Sequence, residues 1–72
     1  MGKRYMALKY FIDAIKVKKN YTKAYYYIVN LFQMAGDVNS ALKYAKLGLK
    51  YTPDSKILKK KYSELRRLSG NN

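Results

Sequence analysis

The tetrapeptide Ala7-Leu8-Lys9-Tyr10 recurs unchanged as Ala41-Leu42-Lys43-Tyr44, 34 residues later. A fixed period of this size marks a repeat architecture, in which each unit buries its apolar face only against its neighbours. The same offset aligns Gly2, Gly36 and Gly70, and it sets Ala14 over Gly48, Ile15 over Leu49, Lys16 over Lys50 and Leu31 over Leu65. Cut at the glycines, the chain reads as units 2–35 and 36–69, with Gly70-Asn71-Asn72 opening a third.

Within each unit the apolar spacing is helical. Ala7, Phe11, Ala14 and Ile15, then Ala41, Leu42, Ala45 and Leu49, fall three and four residues apart, the interval that lines one face of a helix. Gly36 and Gly70 suit the left-handed conformation that ends a helix, Thr22, Asp37 and Asp54 carry capping oxygens, and Pro53 interrupts the chain. These signals predict a single all-α domain over 1–72 with four antiparallel helices, at roughly 4–19, 22–35, 38–51 and 55–69.

Tyr25, Ile28, Phe32, Gly36-Asp37, Ala41, Leu42 and Pro53-Asp54 stand in the order and spacing of a tetratricopeptide repeat, and nearly the whole chain resembles that family. The resemblance implies a right-handed α-α superhelix (a TPR-like solenoid). It divides the chain into the second helix of one repeat (4–19), a complete repeat (22–55) and a further helix (55–69). Three positions depart from the family pattern: Ala45 replaces a bulky aromatic, Gly48 an alanine and Lys19 a proline. On propensity alone, glycine inside a helix costs about 1 kcal/mol relative to alanine. The first helix lacks its repeat partner in this frame, and about three stacked repeats are generally needed for stability. The expectation is either a piece of a longer array or a homo-oligomer in which another copy covers the flank of helix 4–19. A natural chain, an excised piece and an engineered repeat all share the frame.

Residue types narrow the chemistry. A chain of 72 residues buries only about 60% of the surface its unfolded form exposes, which leaves little room for a deep pocket. Cysteine and histidine are both absent, so the thiol nucleophile, the usual zinc ligands and the neutral-pH proton carrier are missing. The only carboxylates are Asp13, Asp37, Asp54 and Glu64, no two at helical neighbour spacing, so neither an acid–base pair nor a carboxylate metal site assembles from them. No phosphate-binding glycine loop is present. We therefore expect no catalytic residues, no metal and no cofactor. Of the nine tyrosines, Tyr10, Tyr25 and Tyr44 are explained by packing at repeat positions. The N-terminal residues lack a secretory or myristoylation pattern, which makes a cytoplasmic setting the expectation. The most apolar run, 24–32, is too short to span a bilayer.

Recognition is the remaining class. With Tyr25, Ile28, Val29 and Phe32 on the packing side of the second helix, Lys23, Tyr26, Asn30 and Gln33 fall on the other, bordered by Tyr27. The corresponding strip of the last helix is Ile57, Lys60, Glu64 and Arg67, with Lys61 beside it. The resemblance places these strips in a concave groove. Tyrosine gives contact area at low entropic cost and Lys/Arg pair with carboxylates, so the expected partner is an acidic protein or peptide segment. Packing of Tyr26 and Tyr27 on a neighbouring helix is the competing reading. Some members of the family hold a C-terminal carboxylate with Lys, Asn and Arg on successive first helices; Asn30 suits such a clamp, but Tyr26 stands where it needs a cation.

The formal charge of +12 favours anionic partners in general. AT-rich codons for Lys, Tyr, Asn and Ile would give the same balance with no such partner. Lys9 and Lys16, Lys43, Lys46 and Lys50, and Lys56, Lys59, Lys60, Lys61, Arg66 and Arg67 form basic outer faces. Nonspecific nucleic-acid binding through them is a further reading, ranked below peptide binding because no base-reading motif is present.

Overall fold

The computed structural model describes residues 2–70 as four α-helices: α1 (Gly2–Val17), α2 (Thr22–Met34), α3 (Val38–Tyr51) and α4 (Lys56–Leu68). The expected start of a third unit at Gly70-Asn71-Asn72 falls, beyond Gly70, outside the described residues.

Helix ends follow from backbone satisfaction. Gly36 sits at φ +79°; its N–H donates to Gln33 O at 3.0 Å and that of Asp37 to Phe32 O at 2.9 Å. This is the paired closing pattern that a left-handed glycine permits. Asp37 then opens α3, its carboxylate accepting from the Ser40 N–H at 3.1 Å. Stop and start signals thus occupy adjacent residues, which keeps the turn between α2 and α3 to residues 35–37.

Two expected caps are displaced. Ser55, not Asp54, caps α4, its hydroxyl accepting from the Leu58 N–H at 3.3 Å. Thr22 is already the first helical residue of α2, and the cap position is Tyr21, with no side-chain bond. A cap needs non-helical backbone angles and an oxygen that reaches the N–H groups opening the helix; Ser55 meets both conditions, and Thr22 fails the first. α1 also ends two residues before the expected 19. The Lys18 N–H still closes on Ala14 O at 2.9 Å, but the Lys19 carbonyl is taken by the Tyr25 hydroxyl at 2.7 Å.

α2 is the pivot. It packs against α1, α3 and α4, and α3 packs against α4, whereas the α1 backbone neighbours α2 alone. The Cα envelope measures 32 × 30 × 14 Å, a thin slab of helices rather than a bundle around one central core. The buried side chains accordingly form two clusters. Ile15, Ala24, Tyr25, Ile28 and Leu58 make the first; Val29, Ala41, Ala45 and Leu65 make the second. Each fully buried leucine or isoleucine contributes about 1.5–3 kcal/mol, and Leu58 and Leu65 tie α4 to both clusters.

Gly48 overturns its sequence reading. An added Cβ would lie 2.7 Å from Leu58 Cδ1, 2.9 Å from Tyr25 Cγ and 3.0 Å from Tyr25 Cβ. The absent side chain is what lets α3 approach α2 and α4, so the propensity cost is offset by packing. The open flank expected on α1 is present: Tyr5, Met6 and Tyr10 are 69%, 70% and 68% exposed.

Candidate functional site

Helix α4 is held to α2 by Leu58 and Leu65, seven residues apart and both fully buried. That anchoring sets which of the consecutive lysines 59–61 turns toward α2. Lys61 does: it is half-buried, its ammonium donates to Gln33 Oε1 at 3.1 Å, and it lies 5.8 Å from the centroid of the Tyr26 ring. Of the three donors of an ammonium, Gln33 takes one. The ring contributes about 0.5–1 kcal/mol at such a site, and together amide and ring hold the charge at the α2–α4 seam.

Asn30 is half-buried and Lys23 exposed on the same helix as Tyr26 and Gln33. Tyr27 points elsewhere. Its ring stacks on Phe11 of α1 with centroids 5.0 Å apart and planes at 24°, which is the packing alternative raised for it from sequence. Tyr26 is 5.8 Å from Tyr27, and Tyr10 meets Phe11 edge-on at 5.4 Å. The four rings make an aromatic run from the open face of α1 to the seam.

The α4 strip is less unified than its spacing suggested. Lys60 is exposed, two residues past buried Leu58 and so about 200° round the helix. Arg67 lines the other side of α4, facing α3. Glu64 is half-buried, and among the described residues the one ion pair is Asp13–Lys16, at 3.9 Å on the exposed face of α1. At the seam Lys23 and Lys61 flank tyrosine and amide groups, with Glu64 one turn beyond Lys61 on α4.

Sequence spacing did not reveal a cavity of 910 Å³ between α3 and α4, lined by Leu42, Lys43, Lys46, Tyr62, Arg66 and Arg67 among others. Along the sequence Lys43, Lys46 and Arg66 belong to the basic outer faces of separate helices, and Arg67 to the α4 strip as well. Only the packing of α3 on α4 brings them together round Leu42 and Tyr62.

Two groups have displaced acidities. Burial, and then the neighbouring Tyr51 hydroxyl, pushes Tyr25 above its ordinary 10.0. Hydrogen bonds from the Ser40 side chain and then its backbone hold Asp37 below 3.8. Both groups are structural, a turn clasp and a helix cap. Among the described residues no group of three His, Cys, Asp or Glu side chains is placed to hold a metal ion, and no helix is long and apolar enough to cross a membrane. Comparison of the chain with protein-family models, with curated proteins and with solved structures finds no match.

Proposed function

We propose that this chain is a non-catalytic protein-interaction module, a short right-handed superhelix similar to tetratricopeptide repeats, whose α2–α4 face binds an acidic segment of a partner in extended form. The repeat reading is supported by the 34-residue offset, by consecutive helices packed as neighbours, and by contact between α2 and α4, one helix apart in the chain. The observation that carries the binding reading is Lys61, its ammonium held between Gln33 and the Tyr26 ring. A carboxylate meeting this group forms a charge-assisted bond to a donor whose position is already fixed, and Tyr26 supplies adjoining apolar area. Lys23, exposed one turn before Tyr26 on α2, extends the attraction along the rim.

Fluorescence anisotropy with a labelled Asp/Glu-rich peptide, kept extended by interspersed prolines, tests this. Replacing Tyr26 and Lys61 together by alanine is expected to weaken binding at least about tenfold; unchanged affinity in that variant removes the seam from the account.

A second reading, association of copies through α1, is favoured by the exposure of Tyr5, Met6 and Tyr10 on a helix whose backbone neighbours only α2. Sedimentation velocity over a wide concentration range separates the two, because the module reading expects a monomer throughout.

A further inference from the structure

Helix α3 packs on α2, and its Tyr44 and Leu47 face Ile12 and Ile15 of α1 across a small cavity; the 34-residue offset carries that seat onto the α3–α4 pair, where the described residues leave it open as the 910 Å³ cavity. In the first seat α2 presents buried Ile28 and Phe32, whose ring stacks on Tyr44 of α3 with centroids 5.6 Å apart. The residues 34 positions later are Tyr62 and Arg66, and both line the cavity. On the other wall, Leu8 and Ile12 of α1 pack on the first core cluster; their counterparts on α3, Leu42 and Lys46, line the cavity too. The second seat is lined from positions equivalent to those of the first, but it exchanges Ile12 for Lys46 and Phe32 for Arg66.

We propose that this cavity is the docking seat of an acidic amphipathic helix from a partner protein, its apolar stripe covering Leu42 and Tyr62 and its carboxylates pairing with Lys43, Lys46, Arg66 and Arg67. The described lining residues include those four cations and no Asp or Glu, so an uncharged or basic helix would leave them facing one another unpaired. Arg66 and Arg67 can each fork onto a carboxylate. Charge argues against a second copy as occupant: the chain carries a formal +12, and its open helix α1 brings Lys3, Arg4 and Lys9. Nucleic acid fits less well, because binding a single strand draws on exposed aromatic faces for stacking, and here the Tyr62 ring is half-buried and faced by the Arg66 guanidinium at 5.8 Å. This seat lies on the opposite side of α4 from Lys61 and stands independently of the seam.

The test is anisotropy with a labelled helical peptide of roughly 18 residues, about five turns, carrying leucine at three- and four-residue spacing and glutamate elsewhere. Two further probes accompany it: the same peptide with lysine for glutamate, and an oligothymidylate. The expected result is binding of the glutamate peptide that Lys46→Glu with Arg66→Glu weakens on the order of a hundredfold and that the same charge reversal at exposed positions of α1, Lys3→Glu with Lys9→Glu, weakens far less. Lys46 and Arg66 are exposed, so circular dichroism should show the helices intact; Lys46→Gln with Arg66→Gln provides the same reading with smaller loss. Absence of binding, equal binding of the lysine peptide, tighter binding of the oligothymidylate, or equal loss through the charge reversal on α1 would each overturn the proposal.

Discussion

Gly48 and Tyr25 are in contact so close that the α-carbon of one cannot carry a side chain beside the ring of the other: a methyl group on Gly48 would lie 2.9 Å from Tyr25 Cγ. Leu58 closes the same space from α4 at 2.7 Å. Three helices meet at a position with no side chain, and the first prediction follows from it. Gly48→Ala should gain about 1 kcal/mol of helix propensity and lose about 1–3 kcal/mol to overpacking. Tyr25 Cβ is anchored to its backbone and cannot swing away, so the loss dominates. We expect a net destabilisation of about 1 kcal/mol, a drop of about 4–8 °C in Tm for a domain of this size. Gly48→Val should cost more. Thermal unfolding followed by circular dichroism decides, and a rise in Tm for Gly48→Ala would show that α3 packs less closely.

Tyr25 also clasps the α1–α2 turn through its hydroxyl bond to the Lys19 carbonyl. Tyr25→Phe should lose about 1 kcal/mol at neutral pH. The bond needs the protonated phenol, whose acidity in the folded chain lies above 10.0. A raised folded value means that the contribution is complete below pH 10.0 and is lost as pH rises through the folded value. The stability difference between wild type and Tyr25→Phe, from urea midpoints, should therefore shrink only on the alkaline side.

Asp37 gives the opposite limb. Its folded value lies below 3.8, so its capping contribution is complete above about pH 4 and falls away as pH drops through the folded value. Asparagine caps without titrating. Wild type and Asp37→Asn should keep a constant difference in urea midpoint from about pH 5 to 7, with wild type losing ground only below about pH 4.

Leu65 belongs to the second cluster with Val29, Ala41 and Ala45. Leu65→Ala should cost about 2–5 kcal/mol, against a total of about 4–11 kcal/mol for a chain of this length. A fall of at least about 8 °C in Tm is the expected outcome. A cooperative transition near the wild-type midpoint would mean that α4 is not anchored there.

The four helices and those helix ends that backbone chemistry controls are legible in the sequence. Gly36 and Asp37 marked a helix end and the next start because one residue adopts positive φ and the other carries a short acceptor. Choosing between Asp54 and Ser55 required knowing which was already turning after Pro53, and residue type does not carry that information. Gly48 misled because propensity scales describe an isolated helix and say nothing of Leu58 and Tyr25. Spacing alone puts the α4 strip in the wrong phase at Lys60: residues 59–61 are all lysine, and only the burial of Leu58 and Leu65 shows that Lys61 turns inward. The basic residues of the α3–α4 cavity are each visible in the sequence, but nothing in the spacing along one helix tells which face of another it meets.

The central claim is that the Tyr26–Gln33–Lys61 seam receives acidic partners. Its most direct test is titration of isotopically labelled protein with the proline-containing acidic peptide, read by two-dimensional NMR. The account predicts saturable shifts concentrated at Tyr26, Asn30, Gln33 and Lys61. Shifts confined to α1, spread evenly over the basic faces, or absent at saturating peptide would contradict it.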